Sequence, residues 1–228
     1  MSKSREVILQ LENTITNNLG YTVLYGLAVV LSVVLSILAS RYPYFPGDVT
    51  IAHLIQSISF EPFDALMRGL TAMGLYGLAQ VIPSVSAIVL IVAHRKLEGI
   101  FTFLTLSAEV INLAIKEVVR RPRPSSSLVD IRWPAEESSF PSGHVMYFVV
   151  FFGFLFFLTW TEMKPSPLRT AALCVLGLLI ALIGVSRVYL GAHWPSDVAG
   201  AYLIGALWLV GLITVYSAVK APVRANRS

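Results

Sequence analysis

The sequence predicts an all-α fold: a bundle of six transmembrane helices with an interfacial helix between the first two spans, forming one membrane-embedded domain over residues 1–228. Two observations carry this. Hydrophobic residues make up 56% of the chain and charged residues only 13%, against about 25% charged in ordinary soluble domains; mean hydropathy is +0.73. The apolar residues also gather into uncharged runs of about 20 residues, the length a helix needs to cross a bilayer. This composition excludes both a soluble globule and a disordered chain. Cys174, the single cysteine, lies inside an apolar run, so neither an intramolecular disulfide nor a cysteine-rich metal site is available. The net charge of +4 does not point to nucleic acid, because no soluble domain exists in which basic residues would line a groove.

The expected spans are 21–40, 69–93, 99–119, 143–161, 170–186 and 198–219. The first reads as an uncleaved anchor: it is longer than a signal-peptide core, and Ile37-Leu38-Ala39-Ser40 makes a poor cleavage site. Between the first two spans, Ile51, Leu54, Ile55 and Ile58 fall at helical spacing on one side of a segment too polar to cross, which suits a helix lying in the membrane interface. Phe63, Leu66, Met67 and Leu70 repeat that spacing, so the second span is expected to begin near Pro62 and to kink at Pro83.

Orientation follows from lysine and arginine placement. With six spans both termini share a face, which carries nine of the seventeen Lys and Arg residues: Lys3, Arg5, Arg95, Lys96, Lys164, Arg169, Lys220, Arg224 and Arg227. The opposite face carries Arg41, Arg68, Lys116, Arg120, Arg121, Arg123, Arg132 and Arg187, eight in all. Setting aside Lys116, Arg123 and Arg187 as site residues leaves nine against five. The expectation is a multi-pass protein of the cell membrane with cytoplasmic termini and an extracytoplasmic active face.

Three polar clusters interrupt the apolar chain on that face: Lys116 through Arg123-Pro124; Pro141-Ser142-Gly143-His144; and Ser186-Arg187 through His193 to Asp197. Lys116, Arg123 and Arg187 have the chemistry to clamp a phosphoryl group, since Arg offers a planar fork of donors and Lys a point charge. Singly, Lys116, Arg120 and Arg121 have a plainer explanation, as cations at a helix C-terminus that snorkel to lipid headgroups. Arg187 is harder to dismiss, being the only charge between Arg169 and Asp197. Ser142 would cap the fourth span, Gly143 would let a ligand approach the backbone, and free amides there would face an anion beside His144. Pro195 suits the first turn of the sixth span, which puts Asp197 four residues from His193, where a carboxylate fixes an imidazole tautomer.

Taken together and in order, Lys116–six residues–Arg123-Pro124, Pro141-Ser142-Gly143-His144, and Ser186-Arg187–five residues–His193–three residues–Asp197 resemble the three-part signature of the type 2 phosphatidic acid phosphatase family. That superfamily includes bacterial phosphatidylglycerophosphate and undecaprenyl diphosphate phosphatases, glucose-6-phosphatase and soluble vanadium haloperoxidases. The match runs from Lys116 to Asp197; residues 1–115 carry no transferable motif. The resemblance implies a lipid phosphate substrate taken from the bilayer, and hydrolysis through a phosphohistidine on His193. Asp197 would orient His193, and His144 would protonate the leaving oxygen. Lys116, Arg123, Ser142, Gly143 and Arg187 would hold the phosphate oxygens. No metal or other cofactor is expected, because phosphoryl transfer needs mainly positioning and charge stabilisation, which three cations and helix-terminal amides supply.

Two competing readings accompany this one. A transporter would use an intramembrane ionisable residue such as Glu109, but Glu109 lies two helical turns from Lys116 on the same face, where a structural polar contact accounts for it more simply. A lipid phosphotransferase would keep the site and pass the phosphoryl group to an acceptor other than water.

Overall fold

The computed structural model describes residues 3–75, 77–135 and 138–225. Arg227 of the charge balance lies outside the described residues. The described elements are all helical: α1 (Lys3–Arg41), α2 (Asp48–Gln56), α3 (Glu61–Met73), α4 (Leu78–Val92), α5 (Lys96–Leu104), α6 (Ser107–Val119), α7 (Gly143–Tyr147), a π-helical turn (Phe148–Phe152), α8 (Gly153–Glu162), α9 (Pro167–Tyr189) and α10 (Pro195–Ala225).

Five stretches among the described residues are long and apolar enough to cross a membrane: Leu19–Arg41, Lys96–Val119, Gly143–Glu162, Pro167–Tyr189 and Pro195–Ala221. Their outward surfaces are apolar. Leu24, Leu27 and Val30 on α1 and Leu168, Val175 and Leu178 on α9 are exposed, an arrangement stable in lipid and unfavourable in water. The chain is therefore a multi-pass helical membrane bundle.

The second expected span differs from its expectation. Residues 69–93 do not form one helix: α3 ends at Met73 and α4 begins only at Leu78, with Gly77 (φ 99°) as a turn residue between them. Three glycines, Gly69, Gly74 and Gly77, stand in this stretch, and glycine is the residue least costly to break a helix at. Pro83 sits inside α4. The third span forms as expected, one apolar stretch over Lys96–Val119; at Thr105 and Leu106, where α5 passes into α6, the backbone stays right-handed helical and only tightens to i→i−3 hydrogen bonds.

Between the first two spans, α2 forms as expected. Asp48, Ala52 and Gln56 are buried, while Ile51, Leu54 and Ile58 are exposed. Of the expected apolar face, Ile51 and Leu54 turn outward while Ile55 packs with Val49 against the core, and Thr50 and His53 are exposed, so the helix buries two polar side chains and presents a mixed outer face, as at a membrane interface.

The main core surrounds α7 and the π turn, where Val145, Met146, Phe148, Phe151, Ile183 and Trp194 pack together. A second cluster, of Phe101, Phe154, Leu158 and Tyr216, lies further along the bundle. Beside it Lys220 Nζ donates to Glu98 Oε1 (2.6 Å), Glu162 Oε1 (2.8 Å) and the Tyr216 hydroxyl (2.6 Å), tying α5, α8 and α10 together at the end away from the polar clusters.

Candidate active site

The three clusters meet at one end of the bundle. Lys116 ends α6, Gly143 and His144 open α7, and Arg187 lies in the last turn of α9. His193 sits in the short loop from α9 to α10, and Asp197 in the first turn of α10, which begins at Pro195 as expected. Gly191 shapes that loop. Its φ is +68°, and a Cβ there would lie 2.1 Å from the Asp130 carbonyl oxygen, so the loop can pass the 120–142 connection only with glycine.

Lys116, Arg123, Gly143, His144, Arg187 and His193 all line one cavity of about 480 Å³. His193 is buried, and its Nε2 is 3.1 Å from Arg123 Nη1. A guanidinium only donates, so Nε2 is the acceptor and the ring proton belongs on Nδ1. Burial, and then the nearby Arg123, Arg187 and Lys116 cations, hold the His193 pKa well below the ordinary histidine value of 6.5. Each favours the neutral ring. The result is a neutral imidazole whose Nε2 lone pair faces three cations and accepts from one of them, a group suited to attack an electrophile that arrives as an anion and draws the Arg123 donor to itself.

On the other side of the ring, Nδ1 lies 3.7 Å from Asp197 Oδ2, longer than a hydrogen bond. The Ser139 hydroxyl stands between them: it donates to Asp197 Oδ2 and lies 3.5 Å from His193 Nδ1. Asp197 Oδ2 also accepts from the Trp194 amide at 2.9 Å, so the carboxylate is held by the same loop that carries the histidine.

His144 Nε2 is 3.1 Å from the Thr71 carbonyl oxygen. Because a carbonyl only accepts, Nε2 carries a hydrogen and Nδ1 is left for other work. The Thr71 side chain accepts from Arg187 Nη1 at 2.9 Å and pairs with the Ser186 hydroxyl at 2.8 Å. One residue of α3 thus orients both a cation and a histidine. Gly74 makes the space: a Cβ there would lie 2.4 Å from His144 Cδ2.

Two expectations need correction. Ser142 is the N-cap residue of α7 but makes no capping hydrogen bond through its side chain; its hydroxyl is buried without a partner. A buried hydroxyl in that state is a donor left over for something else. Arg121 does not snorkel to lipid. It is 1% exposed, stacks over the Phe45 ring, and bridges Asp197 and Asp48, whereas its neighbour Arg120 is the exposed one. The difference is geometric: α6 ends at Arg120 in a left-handed conformation (φ 50°), and the chain then turns inward.

Arg121, Asp48, Ser139 and Thr71 were not legible as site residues in the sequence, and neither was Asn112, whose amide donates to the Pro141 carbonyl and borders Gly143. Asp48 alone left a trace, as an acid directly after Pro46-Gly47 in a segment otherwise read for its apolar face. Glu109, expected in a structural contact, accepts two hydrogen bonds from the Gln80 amide (2.7 and 2.8 Å).

Lipid phosphate phosphatase delta of Arabidopsis thaliana is 32% identical over 131 residues, which cover 54% of this chain and 32% of that protein. Phosphatidylglycerophosphatase B of Bacillus subtilis (strain 168) is 32% identical over 114 residues, 48% of this chain and 54% of that protein. The chain therefore spans about a third and about half of the length of these relatives. In fold, it is similar to the crystal structure of a transmembrane PAP2 type phosphatidylglycerolphosphate phosphatase from Bacillus subtilis, with a TM-score of 0.71 at 21% identity, covering 84% of this chain and 97% of that one. The model of the PAP2 superfamily matches residues 98–221, more than half of the chain and a stretch that holds all three clusters, so the chain belongs to the PAP2 superfamily.

Proposed function

We propose that this chain is a membrane phosphatase that hydrolyses the terminal phosphate of a lipid phosphate or diphosphate through a phosphohistidine, without a metal ion. The observation that carries this reading is His193 Nε2, hydrogen-bonded by Arg123 at 3.1 Å in a cavity that Lys116, Arg187 and His144 also line. Lys116, Arg123 and Arg187, with the Ser142 hydroxyl and the amides at Gly143, hold the phosphate oxygens and spread the charge of the transition state. The Nε2 lone pair attacks phosphorus as the bond to the lipid oxygen breaks, and that oxygen takes a proton from His144 Nδ1. His144, now neutral, removes a proton from water as the water oxygen attacks phosphorus. The P–N bond breaks, its electron pair returns to Nε2, and inorganic phosphate leaves. Asp197, acting through Ser139, holds the Nδ1 side of His193.

The site lies at the end of the bundle opposite the Glu98–Lys220–Glu162 cluster, and the lysine and arginine balance puts that end outside the cytoplasm. The test is phosphate release from lipid phosphates by the purified protein in detergent, with excess EDTA and, separately, with vanadate. Release that persists in EDTA and stops with vanadate is expected. Abolition by EDTA with rescue by magnesium would overturn the metal-free mechanism, and transfer of phosphate to an added alcohol in preference to water would make the protein a phosphotransferase. Failure to release phosphate from any lipid would overturn the reading as a whole.

A further inference from the structure

The α3–α4 break and the tightened turn between α5 and α6 face the same cavity. Gly74 and Leu75 from the break, and Thr105 and Leu106 from the turn, line it together with the cationic cluster. Irregular backbone at membrane depth is tolerated where it lines a polar cavity. The α3–α4 break also helps build a second polar wall. Gln80 Oε1 accepts from the Gly77 amide at 2.6 Å, which fixes the side chain so that Nε2 meets both oxygens of Glu109. Gln80 is neutral, so this pair leaves a carboxylate charge on the cavity wall, with lone pairs still free to accept.

The location of that charge matters. Glu109 and Lys116 both line the cavity and stand seven residues apart on α6, about 10 Å along the helix axis. Tyr147 stands one turn beyond His144 and also lines the cavity, and its hydroxyl is buried with no hydrogen-bond partner. A buried hydroxyl without a partner at a cavity wall calls for a ligand atom. His144 faces the leaving oxygen in the reading above, so the wall beyond it, of Tyr147, Gln80 and Glu109, faces the leaving group.

Resting on that phosphatase reading, we propose that Glu109, held by Gln80, and Tyr147 form a leaving-group subsite that selects monophosphates whose lipid alcohol is uncharged and carries a further hydroxyl next to the ester, and that disfavours diphosphates. A free hydroxyl donates to the Glu109 carboxylate or pairs with Tyr147. A diphosphate adds a second anionic phosphate to a cavity whose wall carries Glu109. Glu109 is a specificity-determining residue here, since the reacting atoms are served by His193 and His144.

Three lipids of matched chain length separate the contributions: a monoacylglycerol phosphate, which has the hydroxyl; a diacylglycerol phosphate, which lacks it; and a prenyl diphosphate, which adds the charge. In the wild type, kcat/KM should rank them in that order, with the first about tenfold above the last, the scale of one like-charge interaction across about 10 Å at an effective dielectric of about 20. Glu109→Gln should raise kcat/KM for the diphosphate about tenfold and lower it for the monoacylglycerol phosphate several-fold. A merely structural role would lower all three together, and that result, or a wild type that prefers the diphosphate, would overturn the subsite. Glu109→Asp keeps the charge and should keep the wild-type order; the wild-type ranking decides the matter if Glu109→Gln does not fold. Hydrolysis of none of the three by the wild type would instead overturn the phosphatase reading.

Discussion

Arg121 Nη1 lies 2.5 Å from Asp197 Oδ1, and neither side chain is exposed. The same guanidinium reaches Asp48 Oδ2 at 3.3 Å and the Tyr42 carbonyl at 3.2 Å, and its Nη1 donates to the Ser196 hydroxyl at 2.8 Å. Asp48 in turn accepts from the Ser196 amide (2.9 Å) and hydroxyl (2.6 Å). One arginine after α6 therefore joins the start of α2 to the start of α10, and the carboxylate it holds at α10 is the one behind His193.

Arg121→Ala should destabilise the protein by about 3–5 kcal/mol, because it strands two buried carboxylates. Asp48→Asn should cost less, since it retains hydrogen-bonding capacity and leaves the Arg121–Asp197 pair intact. Unfolding in a constant detergent, followed by helical circular dichroism, measures both. Equal stability of Arg121→Ala and wild type would show that the pair does not form.

The two histidines should fail differently. His193→Ala should abolish both phosphoenzyme and turnover. His144→Ala should lose most turnover on alkyl phosphates, whose alkoxide is a poor leaving group, and retain more on an aryl phosphate, whose phenolate leaves unaided. Gly74→Ala should resemble His144→Ala in this ratio, because its new methyl occupies the space of the His144 ring. Labelled phosphate trapped on His144 in the His193→Ala protein would reverse the assignment of roles.

His193 should stay neutral as pH falls through 6.5, where a free histidine gains its proton, because burial and then the Arg123, Arg187 and Lys116 cations oppose the charged ring. In protein with ¹⁵N-labelled histidine, the resonances missing from His193→Ala should keep neutral-imidazole shifts below that pH. The unfolded chain binds this proton first, so the residue contributes a loss of stability as pH drops below about 6.5. Titration of His193 at or above 6.5 would mean that the cations do not surround it.

Sidedness is tested by two single cysteines in a Cys174→Ser background. Ser126, exposed in the 120–142 connection, and Lys164, exposed between α8 and α9, lie at opposite ends of the bundle. A cysteine at Ser126 should react with an impermeant thiol reagent in intact cells, and one at Lys164 only after permeabilisation. The opposite pattern would put the active site in the cytoplasm.

Hydropathy and local spacing belong to the chain itself, and they determined the helical membrane fold, the α2 helix and the three clusters. In a chain with so few charges, three polar clusters in a fixed order and spacing stand out even though a single cation at a span end does not, which is why Lys116, His144, Arg187 and His193 were readable as candidates. Pairings across long sequence separations were decided only by tertiary structure. Asp48 and Arg121 are 73 positions apart, and Thr71 and His144 also 73; no local pattern records that these residues meet. The same holds for direction. Arg120 and Arg121 look alike in sequence, and only the left-handed turn at the end of α6 sends one to the surface and the other inward to Asp197. The break between α3 and α4 escaped the hydropathy reading because an apolar run stays apolar whether or not its helix is continuous. Only the tertiary structure turns that break onto a polar cavity, where irregular backbone is tolerated at membrane depth.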